Sequence, residues 1–382
     1  MAITIRGLCR LNISLANNVI FKSNFINAGV RSLYTERDLG VTAYENARFV
    51  FRNQFVTIED TFRTKMKEIC EKEDGTIYTE DLKVMLHLAH ENESDMKLLN
   101  SMLEKYVTNK DHKKFGTYAF GPIVMRMYYY LNQPTLALQT FENSALSENF
   151  NYRSSFRVLM CLLYKHNMFK ELRDVYDKIL TTKGIEFIGS NNILMYAACM
   201  KENTPESLEY ALKHWREQYD IYRPTVRSCA MLSVLAIKNN VPEAALEILS
   251  VVDKERSISV RCLKILALMS LKNYLQIIPI LRHSVEQDNA AGQRHFFFAD
   301  VIYELEENLK TEHVPEHMEL QSLIDQIKMH ELLDTHSTLE EFLLRRMTLG
   351  TGGQKTSERD PRPFPNRNRK MYKPRAEISN YL

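Results

Sequence analysis

The stretch Val234-Leu235-Ala236-Ile237-Lys238-Asn239-Asn240-Val241-Pro242-Glu243-Ala244-Ala245-Leu246 reads as the end of an apolar helix, a polar turn, and the start of a second helix with proline in its first turn. The same arrangement recurs on both sides of it. Turns containing Asn132, Asn167, Asn203, Asn239 and Asn273 are spaced 35, 36, 36 and 34 residues apart. Each follows an apolar segment: Ile123–Leu131, Phe156–Tyr164, Ile193–Met200, Cys229–Ile237 and Cys262–Leu271. Each precedes a second helix, and Pro134, Pro205 and Pro242 lie near three of those starts. The second helices carry pairs four residues apart: Ala137/Phe141, Leu172/Tyr176, Ala211/Trp215, Ala245/Leu249 and Ile277/Leu281. That step puts both members on one helix face, against the partner helix.

A helix–turn–helix unit near 35 residues cannot bury its apolar face alone and must stack on its neighbours. The expected fold is therefore all-α, an α-solenoid of stacked helical pairs with helical caps and disordered ends. Composition agrees: 45% of the 382 residues are hydrophobic, enough for a core, while 12 glycines and 11 prolines are too few for a turn-rich sheet protein. No apolar run approaches the roughly 20 residues of a membrane-spanning helix. The six cysteines (9, 70, 161, 199, 229 and 262) form no C-x-x-C pair, and the last four read as buried structural thiols.

Residues 36–114 form a helical lead-in to the repeats at 115–290. One helix or two are expected over Glu45–Glu73, one capped by Thr79, and one opened by Ser94-Asp95. Residues 291–349 form a helical cap, with helices at Phe296–Leu309 and Met318–Leu333 and a capping box at Ser337-Thr338-Leu339-Glu340. Residues 350–382 are a basic disordered tail. Residues 1–35 contain Arg6, Arg10, Lys22 and Arg31 with no acid before Glu36, the composition of a mitochondrial transit peptide, and Arg31-Ser32-Leu33-Tyr34-Thr35 resembles a matrix-processing site.

Catalytic signatures are absent: there is no phosphate-cradling glycine loop, no G-x-S-x-G elbow and no H-E-x-x-H helix. Pro315 separates His313 from His317, and no third ligand is near, so they read as a solvated helix start rather than a metal site. His87 and His90 read as surface or partly buried histidines. The reading is a protein without cofactor, metal or catalytic residues.

Leu159-Met160-Cys161-Leu162-Leu163-Tyr164-Lys165-His166-Asn167 and the opening stretch resemble the pentatricopeptide repeat, over roughly residues 35–345. The Trp/Leu-Gly/Tyr pattern of tetratricopeptide units is missing. The resemblance implies that the first helices line a groove, where residues near each helix start meet successive bases of single-stranded mitochondrial RNA. Counting by 35, and by 34 at the last step, puts Pro122, Arg157, Asn192, Arg227 and Arg261 there. Counting back from the second-helix anchors gives Pro122, Arg157, Tyr196, Ala230 and Cys262, because the third unit carries an insertion. Neither count yields the Asn/Thr/Ser and Asp/Asn pairs that specify bases in plant members.

Charge limits how RNA could be held. Residues 36–350 carry 38 Lys and Arg against 45 Asp and Glu, so contact must come from a local basic stripe or from the tail. The tail sets Arg367, Arg369 and Lys370 among Phe364 and Tyr372, where cations can neutralise phosphate and rings can stack on bases. The expectation is a matrix RNA-binding factor that aids maturation, processing or stability of mitochondrial mRNA, with RNA-processing or ribosomal proteins as further partners. The alternative is a protein–protein scaffold for respiratory-complex assembly or the mitoribosome.

Overall fold

A computed structural model of the chain describes residues 33–108, 118–252, 257–291, 296–312 and 314–347. The leading segment before Leu33, His313, and the tail with Arg367, Arg369 and Lys370 lie outside the described residues, as does most of the loop at 108–114. Among the described residues the protein is an all-α helical repeat solenoid of nineteen helices and two short strands.

The lead-in comprises α1 (Glu36–Leu39), α2 (Val41–Phe55), α3 (Glu59–Glu71), α4 (Thr79–Leu88) and α5 (Glu93–Thr108). Five helical pairs follow: α6 (Phe120–Tyr130) with α7 (Pro134–Glu142), α8 (Arg153–Lys165) with α9 (Phe169–Lys183), α11 (Asn192–Glu202) with α12 (Pro205–Gln218), α13 (Val226–Lys238) with α14 (Pro242–Ser250), and α15 (Ile258–Ser270) with α16 (Ile277–Ala291). A short helix, α10 (Ile185–Ile188), and a 3₁₀ turn at Gly189–Asn191 form the insertion before α11. The first helices stack in a row, α6 on α8, α8 on α11, α11 on α13 and α13 on α15, and α17 (Ala299–Thr311) continues it. α18 (His317–Met329) packs on α16 and α17, and α19 (Leu339–Leu343) ends the described helices.

The turns repeat because their backbone chemistry repeats. Asn132, Asn167, Asn203, Asn240 and Lys272 all have φ between 51° and 58°, the left-handed region that reverses the chain after a helix. Asparagine enters it more readily than most side chains. At four of these ends the next amide bonds back five residues: Gln133 to Tyr128, Met168 to Leu163, Val241 to Ala236 and Asn273 to Leu268. This satisfies a carbonyl the ending helix leaves open. The left-handed residue is Asn240 rather than Asn239, and Lys272 rather than Asn273, so the turns of the fourth and fifth pairs sit one residue from the asparagine used for counting. Adjacent turns also touch through side chains. His166 Nε2 lies 2.8 Å from Asn132 Oδ1, and Asn239 donates to Asn203 Oδ1 at 3.2 Å.

All ten second-helix anchors are buried, as the four-residue step requires. Cys161, Cys199, Cys229 and Cys262 are buried free thiols, and burial pushes the last three upward in pKa.

A turn at Val56–Ile58 divides Glu45–Glu73 between α2 and α3, the two-helix alternative. Other boundaries differ from expectation. The N-cap of α4 is Tyr78, whose amide donates to Asp81, which leaves Thr79 as the first helical residue. At α19 the capping box is Thr338 with Glu341, one residue beyond the predicted one. Phe297–Phe298 is a strand, β1, rather than the start of a helix, and pairs in parallel with β2 (Leu333–Asp334). Both phenylalanines are fully buried, and a strand presents side chains to opposite faces, so each finds its own apolar neighbours.

Candidate nucleic-acid interface

The two counting schemes for the groove separate once the helices are placed. Arg157, Tyr196, Ala230 and Cys262 are each the fifth residue of their helix, so counting back from the anchors preserves depth over the last four pairs, while Pro122 is the third residue of α6. Asn192 is the first residue of α11, Arg227 the second of α13 and Arg261 the fourth of α15. The position of constant depth is internal: Tyr196, Ala230 and Cys262 are essentially inaccessible.

The four described candidates have different surroundings. Arg157 is half-buried; its Nε donates to Asn191 Oδ1 at 2.6 Å, and its guanidinium lies 5.4 Å from the Tyr34 ring centre. Asn192 is buried at the start of α11, and its Oδ1 has no hydrogen-bond partner among the described residues. Arg227 is half-buried, donating through Nε to the Leu343 carbonyl at 2.7 Å and through Nη2 to the carbonyls of Phe342 and Arg345. Arg261 is buried, donating to Ser284 Oγ and lying 5.2 Å from the Phe297 ring centre. Arg157 and Arg227 are thus the two with solvent access. Both face parts of the chain remote from the repeats.

Those parts are the first and last described segments. Leu33 and Tyr34, read from sequence as part of the leading segment, are buried in the body. Tyr34 forms a parallel bridge with Met347, whose amide donates to Leu33 O at 2.7 Å. Burial pushes the Tyr34 phenol up to about 12, even though Arg157, Arg227 and Ser190 all act to lower it. Arg126 of α6 fixes the same segment by donating from Nε to Leu39 O at 2.8 Å. Gly40 follows with φ of 75°, the left-handed region that favours glycine, and a Cβ there would lie 2.8 Å from the Arg126 guanidinium and displace it.

On the other side, α19 rests on α13 and α15. Asp300 of α17 caps it by accepting from Leu339 N at 3.1 Å. Lys238 pairs with Glu340, Phe342 packs 5.2 Å from Phe298, and Leu339 and Leu343 are buried. From α19 the chain crosses Arg227 and meets Tyr34 beside Arg157. Burial, with Arg345 nearby, lowers the Arg227 pKa. Sequence reasoning singled out the arginines but not Tyr34, Asp300, Glu340 or Met347, which the structure places around them. Bridge partners more than 300 residues apart leave no periodic signal.

Among the described residues no helix is long and apolar enough to cross a membrane, and no cluster of three His, Cys, Asp or Glu could hold a metal ion. No protein-family model and no solved structure matches the chain. Curated proteins do. The chain is 27% identical over 237 residues to the mouse mitochondrial pentatricopeptide repeat-containing protein 2, covering 61% of each chain. It is 24% identical over 256 residues to the human protein of that name, covering 66% of this chain and 65% of the relative. Over 142 residues it is 28% identical to the zebrafish protein, covering 37% of this chain and 36% of that one. These similarities establish a pentatricopeptide-repeat-like relationship, and the mouse and human matches span less than two thirds of those relatives.

Proposed function

We propose that this protein binds single-stranded RNA in the mitochondrial matrix and aids maturation, processing or stability of mitochondrial mRNA without catalysing a reaction itself. The observation that carries the reading is a pair of partly accessible arginines, Arg157 and Arg227, on helices α8 and α13 of one stacked row. The mitochondrial, pentatricopeptide-type relatives support the same assignment. Asn192 and Arg261 are too buried to serve as first contacts. The RNA surface is therefore Arg157, Arg227 and the basic tail with Arg367, Arg369 and Lys370, and the mode is phosphate contact and stacking rather than one base per repeat.

Titration of the purified chain with an oligonucleotide of single-stranded RNA at rising salt tests this. Two arginines contribute a slope of about −1.4 in log K against log salt, at roughly 0.7 per neutralised phosphate, and the tail adds to it. A chain ending at Leu349 should keep its helical signal and show a flatter slope. Absence of RNA binding at low salt, or crosslinking in mitochondria that recovers only proteins, removes the reading.

The second reading is a protein-binding scaffold for respiratory-complex assembly or the mitoribosome. It is favoured by Arg227, which already holds polypeptide carbonyls, and by the acidic excess over residues 36–350. Recovery of a stable protein partner through this face, with no RNA, would select it.

A further inference from the structure

We infer that residues 33–35 and 339–347 form an autoinhibitory clasp, closed over the first-helix row at Arg157 and Arg227, that must open before RNA reaches those arginines. The inference rests on the RNA reading above and concerns how that same site is regulated.

The clasp is made from both described ends of the chain. Its centre is an isolated bridge between Tyr34 and Met347, with a short backbone hydrogen bond from Met347 N to Leu33 O. Its flanks are the Tyr34 ring against Arg157 and the three carbonyls, of Phe342, Leu343 and Arg345, that receive Arg227. The Lys238–Glu340 ion pair and the Asp300 cap fix α19 behind it. Among the described residues the bridge is the weak point, because it is an isolated pair outside any strand, whereas α19 is anchored by buried Leu339 and Leu343.

The contacts explain why closing and RNA binding compete. The carbonyls are neutral acceptors of the charged guanidinium, whereas a phosphate oxygen brings an opposite charge to the same donors and can take two of them at once. The tyrosine ring occupies the guanidinium face on which a base would stack. RNA and clasp therefore use the same donors and the same face, and each lowers the population of the other. Arg345 sits beside Arg227 with like charge, and that repulsion also favours release.

Hydrogen exchange and RNA titration on the full-length chain test this together. Met347→Pro removes the bridging donor and Tyr34→Ala removes the ring; both leave Arg157 and Arg227 in place. Each variant, and the double variant, should show faster exchange at residues 33–35 and 342–347 with unchanged helical circular dichroism. Affinity for single-stranded oligouridine should rise roughly 3–10-fold, the gain when a site open 10–30% of the time is freed. Adding oligouridine to the parent chain should accelerate exchange in the same two segments. Faster exchange with unchanged or weaker RNA affinity overturns the inhibitory role, and unprotected segments in the parent chain overturn the clasp itself. If neither parent nor opened variants bind oligouridine while the parent segments are protected, the RNA reading fails and takes the inhibitory role with it; the protected segments then keep the clasp as structure alone.

Discussion

Glu304 lies one turn beyond Asp300 on α17, so the two carboxyls share a helix face. Burial pushes the Glu304 carboxyl up to about 7, and the charges of Asp300 and Glu307 push the same way. Its ordinary value is 4.5, so the folded chain holds this proton more tightly than the unfolded chain does. The group is therefore least unfavourable below about 4.5; it lowers stability progressively as pH rises to about 7, and by a constant amount above that. Glu304→Gln should stabilise the protein by about 1–3 kcal/mol at pH 8 and by nothing measurable near pH 4.5, read from urea unfolding at several pH values. A gain independent of pH would assign the effect to packing instead. At this scale the sequence revealed residue types better than their surroundings. Arg157 and Arg227 stand out by position, but the Tyr34 ring and the carbonyls of Phe342 and Leu343 that engage them come from the far ends of the chain. Arg261 occupies a similar place in the count and is buried, because Phe297 and Ser284 close over it.

The turn between helices is the element that makes the repeat legible, and its energetics can be measured. Lys272 is a side chain with no special tolerance for its φ of 55°, unlike asparagine at 132, 167 and 203. Lys272→Gly should therefore raise stability by about 0.5–1 kcal/mol, offset in part by loss of the exposed ion pair with Glu312. Asn167→Ala should lower stability by about 1 kcal/mol. Thermal melts of the two variants should move in opposite directions, and a stabilised Asn167→Ala would refute the strain argument. The proline starts, the anchor pairs and the 35-residue beat were readable because each follows from local geometry. At the Pro205 start Thr204 is the cap: its hydroxyl accepts from Ser207 N, and the Thr204 amide donates back to Ser207 Oγ. The caps at Tyr78 and Thr338 were missed by one residue, since adjacent polar side chains offer nearly the same bonds. β1 was missed because a two-residue apolar strand carries no period.

Over the whole molecule, the clasp changes what kind of object the solenoid is. A stack in which each unit touches only its neighbours has stability that sums over units, and its ends can melt independently. Here Tyr34 pairs with Met347, and α19 from the far end lies on α13 and α15, so the two ends support each other and the middle. Trp215 is the sole tryptophan and sits buried in α12, which makes its fluorescence a local probe of the central unit. Far-ultraviolet circular dichroism reports on all helices together. In a chain ending at Leu349, which keeps the clasp and lacks the tail, urea should give coincident transitions by the two probes. A chain ending at Thr338 loses the burial of Leu339 and Leu343, about 3–6 kcal/mol at roughly 1.5–3 kcal/mol each as an upper estimate. It also loses the bridge that ties the lead-in to the last units. Its dichroism should begin to fall at lower urea than its tryptophan signal, as the ends unravel ahead of the centre. Coincident transitions in both chains would mean that nearest-neighbour stacking alone supplies the cooperativity, and that the clasp covers the arginines without holding the stack together.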